Sequence, residues 1–493
     1  MAAINVESPS YSEHVILMPA DGVLPSLEEA LKFTMKDNDY AWLEGDVAYR
    51  KEQKQAFVGE ELYAPLFDYR KMLDRTVGDT VAQDPLENDG LIGSSNSDVA
   101  YLQRCITQIE LHRAELGDTA EMYIEKHNRS ILQEYLIQAA AMFHTCGNAE
   151  AKSVWKNAFM QLGVELYGEY DAATLQAMLQ HIHIKSKTSD VPDDVLGTVL
   201  PLLNANTETD PSAINIIDEQ LLQVYLPIIE AEYAHIFAAV PDTDNHIYYN
   251  ASQTAELINN TLKAGGLYEA GWRAEVHPSR SGVATNSSTK RIYIPNDLSR
   301  NAHEIKKLVL HEQEVHARRA FNGAKAGYSF LEYGTANYAD AEEGLGIILE
   351  CIFDGTTDGN VAVQRAFDRY LHVGLALGAD TGGKPRDARQ TYEAAWRLMA
   401  ISNSNSAVTD ATIQDAKKGI WGSIVHIENI YRGTDFATPG MIYPKAKIYW
   451  EGLAKTAAIL KEINGDIHRF RALFLGKYDH TSPKEADLVL SLS

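Results

Sequence analysis

Cysteine is scarce in this chain, with only Cys105, Cys146 and Cys351 among 493 residues. An odd number at wide spacing excludes a disulfide framework and a paired-cysteine metal site, and it fits a reducing, cytoplasmic setting. Long apolar runs are missing too. None approaches the roughly 20 residues that a membrane-spanning helix needs. The N-terminus, MAAINVESPSYSEHVILMPADG, has no basic start and only a short apolar run, so it does not read as a signal peptide. Internal repeats and low-complexity tracts are absent. Positive charge is in short supply, with 44 Lys and Arg against 68 Asp and Glu and a formal net charge of -24. That balance argues against nucleic acid or an anionic membrane as a partner, since both repel an acidic surface.

What is present is a normal globular composition. Hydrophobic residues make up 45% and charged residues 23%, enough for an ordinary core. The length allows about two or three domains. The charge is uneven: residues 270–326 hold ten Lys or Arg against five acids, a local surplus that suits an anionic ligand.

Periodicity organises the chain. Residues 1–50 are mixed and polar, with Pro9, Pro19, Gly22 and Pro25. From about 100 to 180, DVAYLQRCITQIELHRAEL and SILQEYLIQAAAMFHTC repeat apolar residues at helical spacing. Residues 186–213 are rich in breakers and read as a loop or linker. Residues 216–240 read as a helix. WRAEVHP (272–278), SGVAT (281–285) and KRIYIP (290–295) alternate apolar and polar residues and read as an antiparallel meander. Asn301 with Glu304 forms a capping box for the next helix, and Asn322 with Gly323 is expected to end it. Further helices are expected near 339–352, 360–377, 386–400, 410–430 and 445–463. The fold class is therefore α+β, mostly helical, with one small antiparallel or mixed sheet packed beside the helix at 302–321.

That helix carries His311-Glu312-Gln313-Glu314-Val315-His316, or HExxxH. Two neutral imidazoles suit Zn²⁺, and a glutamate beside the first can take a proton from water at the metal. The usual zinc-peptidase spacing is HExxH. At roughly 100° per residue, five steps leave two side chains roughly 140° apart on a regular α-helix. One ion can bind both only if the helix holds an extra residue, as in a π-bulge. An alternative reading pairs Glu312 with His316 across one helical turn. A third ligand is available downstream. ADAEEGLGIILE (339–350) reads as a helix with Glu342 and Glu343 in its first turn, either of which could complete the site. Gly344 is costly inside a helix and implies close approach of another backbone.

HEQEVHARRAFNG followed by EEGLG resembles the QEGLA-motif family, often labelled flavohemoglobin expression-modulating, whose animal relatives are the microtubule-associated tyrosine carboxypeptidases. The family pattern is HExxxH, an Arg and an Asn one turn on, then Glu-Gly-Leu-Ala. Arg319 and Asn322 fill the Arg and Asn places, and Gly346 replaces the usual Ala. LFDYRK (66–71), LYGEYDAATLQAM (166–178) and IYRGTDFATPGMIYPKAKIYWEGL (430–453) extend the likeness, with Ala446 where an Asp is usual. The resemblance implies a gluzincin-like metallopeptidase core at 211–475. A helical region of the catalytic unit would precede it at 51–210, with a leader or accessory segment at 1–50 and a C-terminal tail at 476–493.

It also implies His311, His316 and Glu343 as Zn²⁺ ligands, Glu312 as the base and a peptide or protein C-terminus as the substrate. Arg432 and then Lys445 are the candidates for holding the terminal carboxylate, with Arg319 a further substrate-binding candidate. Tyr449 is placed at the oxyanion, and KRIYIP is a candidate edge strand for extended substrate. Two alternatives are a metallo-endopeptidase with the same chemistry and a non-catalytic protein that keeps the fold. Three weaker features are set aside: His181 with His183, the phosphate-loop-like GADTGGKP (378–385), and Ser423 near His426.

Overall fold

A computed structural model describes residues 24–33, 91–205, 209–242, 244–278, 280, 282–356, 360–380, 383–404, 406–422 and 430–492. LFDYRK, most of the N-terminal leader, and Ser423 with His426 lie outside them. The described chain is mostly helical with two small sheets. None of its helices is long and apolar enough to cross a membrane.

The first half is built from helices α1 (Leu91–Leu111), α2 (Thr119–Thr145), α3 (Ala149–Tyr167) and α4 (Ala172–Thr188). Side chains that accept backbone N–H groups start the last two: Asn148 takes the amide of Ala151, and Asp171 takes those of Ala173 and Thr174. His181 and His183 fall on α4, where neighbours two apart face different ways. Residues 186–213, expected as a loop, instead contain helix α5 (Asp193–Asn204). Val195, Val199 and Leu203 recur every four residues and are fully buried. That stripe outweighs the breaker Pro201.

Helix α6 (Glu219–Phe237) leads to strand β1 (Tyr248–Asn250) and helix α7 (Ala251–Ala264). Strands β2 (Arg273–His277), β3 (Ala284–Asn286), β4 (Arg291–Pro295) and β5 (Ser299–Asn301) follow. β1 and β5 form an antiparallel pair. Each runs straight into a capping box, Asn250 with Gln253 and Asn301 with Glu304, so the ribbon launches α7 and the HExxxH helix from neighbouring points. The other sheet departs from the expected meander. Its order is β2-β4-β3, with β4 parallel to β2 and antiparallel to β3. Ile292 and Ile294 on β4 are fully buried, so the most apolar strand takes the centre. KRIYIP is thus not an edge strand.

The HExxxH helix, α8, has three stretches: Ala302–Leu308, a π-helical turn over Val309–Ala317, and Arg318–Ala326. It runs past Asn322 and Gly323 and ends at Gly327, whose φ of 84° suits glycine. Gly323 serves packing instead, because a Cβ there would lie 2.1 Å from the Leu331 carbonyl oxygen. Helices α9 (Tyr338–Asp354), α10 (Val361–Leu377), α11 (Ala388–Ser402), α12 (Asp410–Gly422) and α13 (Ile448–Ile463) complete the frame. α9 and α13 cross backbone to backbone. A Cβ on Gly344 would stand 2.1 Å from the Gly452 carbonyl carbon, the close approach that glycine at 344 implied. The main apolar core draws on residues from Leu175 to Phe474. Residues of the expected C-terminal tail are tied in as well: Arg319 donates to the carbonyls of Gly476 and Tyr478 at 2.8 and 2.6 Å.

Candidate metal and active site

The π turn solves the spacing problem. Hydrogen bonding from i to i+5 brings the residue five positions on back over the first. His311 and His316 accordingly face each other with ring centroids 5.0 Å apart. α9 crosses beside them and presents Glu343. One donor atom from each of His311, His316 and Glu343 lies within 4.8 Å of the other two. The His311 Nε2 to Glu343 Oε2 distance is 3.6 Å.

Glu342 does a different job on the same helix. Its Oε1 lies 3.0 Å from His316 Nδ1 and 3.2 Å from Lys477 Nζ, so it is ion-paired behind the histidine. Glu350, two helical turns further along α9, binds His311 Nδ1 at 2.6 Å. Both imidazoles therefore have a carboxylate at Nδ1, which leaves Nε2 of each as the ring nitrogen available to an ion. Burial opposes ionisation of the two adjacent glutamates, but charge wins. Lys477 and His316 hold Glu342 at about 2, and His311 and His316 hold Glu343 at about 2. Burial likewise works against a charged His311, yet Glu343 and Glu350 raise it well above its ordinary value. Two imidazoles, one permanent carboxylate and carboxylates behind the rings form a donor set that fits Zn²⁺. Gly346 matters here more than its sequence position suggests. A Cβ at 346 would come within 2.7 Å of the His311 ring, which occupies that space.

Glu312 is buried beside the cluster. The Thr285 hydroxyl on β3 lies 2.7 Å from Glu312 Oε2 and 3.1 Å from its backbone carbonyl. The carboxylate is therefore held by the sheet rather than paired with His316. The other three residues inside the motif turn inward: Gln313 meets Thr261, Glu314 binds Arg318, and Val315 is fully buried.

These groups open onto a cleft of about 750 Å³ lined from β3, α8, α9, α10 and the start of α13. Tyr449 and Lys445 line it. The negative charge of Glu343, with burial second, pushes the Tyr449 phenol up to about 12, so it stays protonated. Arg432 is not among the lining residues, and its guanidinium carbon lies 5.9 Å from the Tyr443 ring centre. Arg319, a substrate-binding candidate by resemblance, is fully buried and bonded to backbone carbonyls away from the cleft. From the basic stretch 270–326, Arg300 and Lys307 reach the cleft, while Lys306, Arg291 and Arg318 are ion-paired elsewhere. Sequence reasoning missed Thr285, Glu350, Lys477, Arg365 and Arg369, all of which line the cleft. Glu350 carried a usable signal, since seven positions from Glu343 returns to the same helix face. Thr285 carried none.

A mostly helical α+β fold with a His-His-Glu cluster at a cleft is the class that this geometry defines. Residues 230–362 match the model of one protein family, described as microtubule-associated tyrosine carboxypeptidase. The matched span runs from α6 through both sheets, the whole of α8 and α9, so it contains all three cluster residues and Glu312. The match relates this part of the chain to a family of carboxypeptidase-type peptidases. No curated protein and no solved structure matches the chain.

Proposed function

We propose that this chain is a zinc-dependent carboxypeptidase of the QEGLA type, acting in the cytoplasm on the C-terminus of a peptide or protein. One observation carries the reading: His311, His316 and Glu343 converge in a cleft with the Glu312 carboxylate alongside. Zn²⁺, when bound, supplies Lewis-acid polarisation of the scissile carbonyl and lowers the pKa of water. The chain's own groups do the rest. With one Glu312 oxygen tied to Thr285, the other is available to take the proton of the attacking water and pass it to the leaving amine. Tyr449, kept protonated, donates to the carbonyl oxygen as negative charge develops there. Ala284 and Thr285, on the edge strand β3, line the cleft and offer backbone groups to an extended peptide.

Mass spectrometry of peptide C-termini before and after incubation with zinc-loaded protein tests the reading. Free-acid peptides should lose one residue. Glu312→Gln should slow the loss by about 10²–10⁴-fold. Internal cleavage of C-terminally amidated peptides at equal rate would point to an endopeptidase. An unchanged peptide pool with fully loaded protein would refute hydrolysis.

A further inference from the structure

The cleft holds guanidinium groups that the His-His-Glu cluster does not engage. Arg365 and Arg369 stand four apart on α10, hence on one face, and both line the cleft. Arg300 on β5 lines it as well. Among the described residues, none of the three makes an ion pair with a carboxylate, although acids outnumber bases in the chain by 68 to 44. Arg300 donates to the Ser299 carbonyl. The Arg369 guanidinium lies 3.8 Å from the centre of the Tyr449 ring, and its Nε is buried without a hydrogen-bond partner. Arg365 is exposed to the cleft, yet lost hydration in the concave wall and the like charge of Arg369, with Arg300 adding less, outweigh the opposing Glu350 and Asp368 and lower its pKa. Adjacent guanidinium groups that no carboxylate pairs directly repel one another, and an anion held by both relieves the cost.

The position of the pair says which anion. Arg369 stacks on Tyr449, and the phenol of Tyr449 lies in the field of Glu343. An anionic group held by Arg369 is therefore next to the reacting centre. We propose that Arg365 and Arg369, rather than Arg432, hold the terminal carboxylate of the substrate, and so make the enzyme act on chain ends. The proposal rests on the carboxypeptidase reading for the identity of the anion. The planar guanidinium suits it, because two parallel N–H donors match two carboxylate oxygens.

The test separates binding from chemistry. Fluorescent decapeptides carrying each of the twenty residues at the C-terminus, as free acids and as amides, are titrated into zinc-loaded protein bearing Glu312→Gln. The parent should bind acids about 10- to 100-fold more tightly than amides, the range expected for charge-assisted hydrogen bonds. In the same background, Arg365→Ala with Arg369→Ala should reduce that preference to about twofold or less while amide binding stays the same. If the double variant does not melt cooperatively, Arg365→Ala alone and Arg369→Lys replace it, each with a partial loss expected. Retention of the full acid preference in folded variants overturns the clamp, as does a parent with no preference. Hydrolysis by the wild-type protein is scored separately. Trimming of C-termini with the preference unmoved by the variants leaves the enzyme standing and the clamp fallen. A preference abolished by the variants, with no trimming at all, keeps the clamp and removes the hydrolase.

Discussion

Replacing Gly452 with alanine puts a methyl group where the carbonyl of Asp340 already stands. An ideal Cβ at 452 would be 1.8 Å from the Asp340 oxygen and 2.6 Å from its carbonyl carbon. Ordinary carbon–oxygen contacts begin near 3.3 Å, so α9 and α13 must part by roughly 1.5 Å at their crossing. Both obstacles are helix backbone, which cannot swing aside as a flexible side chain would. Overpacking commonly costs about 1–3 kcal/mol, and this contact belongs at or beyond the upper end. A loss of that size lowers the melting temperature by several degrees, on the scale of about 2–4 °C per kcal/mol for a mid-sized domain. The damage should also reach the His-His-Glu cluster, because Asp340 is three residues from Glu343 in the same helix. The assay is thermal unfolding paired with Zn²⁺ titration. Gly197→Ala is the control: it lies within α5, and a Cβ there meets nothing within 4 Å. That change should be neutral or raise stability by up to about 1 kcal/mol, through the better helix propensity of alanine. Wild-type melting and Zn²⁺ affinity in Gly452→Ala would refute the crossing and the route from it to the site.

Three further outcomes follow from the site. Glu342→Gln and Glu350→Gln should each weaken Zn²⁺ binding by about 10- to 100-fold, as loss of a carboxylate behind a histidine ligand does, and calorimetry reads it directly. Thr285→Val should lower turnover by about tenfold or more while Zn²⁺ affinity holds, since a hydrogen bond to a carboxylate is worth about 1.5–3 kcal/mol. Thr285→Ser should restore it, and full activity in the valine variant would remove Thr285 from the mechanism. The third outcome concerns pH. In the metal-free protein the pKa of His311 is raised well above 6.5, so at neutral pH the imidazole carries a proton that the ion must displace. Zn²⁺ affinity should therefore rise with pH through the neutral range, with a proton released on binding, seen as a buffer-dependent heat. By the same sign, the stability that protonated His311 gives the metal-free protein is fully present below 6.5 and is lost as pH rises through the raised value.

Several local signals in the sequence led to correct local structure. Asn301 and Glu304 lie within one turn of each other, and their box forms as the spacing implies. His311 and His316 required an extra residue in the helix, and the π turn provides it. Gly344 implied a close backbone, which is Gly452. Contacts between distant segments were not legible. Nothing local puts β4 between β2 and β3, because that order depends on which strand buries the most apolar surface. Thr285 reaches Glu312 across 27 residues, and Arg369 reaches Tyr449 across 80, so neither pairing leaves a short-range trace. Gly323 looked like a helix stop, yet its lack of a side chain serves the Leu331 backbone instead. Residues 186–213 misled for a related reason: breakers were read as loop although Val195, Val199 and Leu203 supplied a buried helical stripe. Arg319 matched a motif position but points its Nε and Nη2 at the carbonyls of Gly476 and Tyr478.

Titration of Zn²⁺ into metal-stripped protein, read by calorimetry and by metal analysis after desalting, bears most directly on the cluster. One ion per chain is expected, with binding abolished by His316→Ala and by Glu343→Ala in variants that still melt cooperatively. No binding by the wild-type chain, or one ion still held with unchanged affinity in both variants, would contradict a metal site at His311, His316 and Glu343.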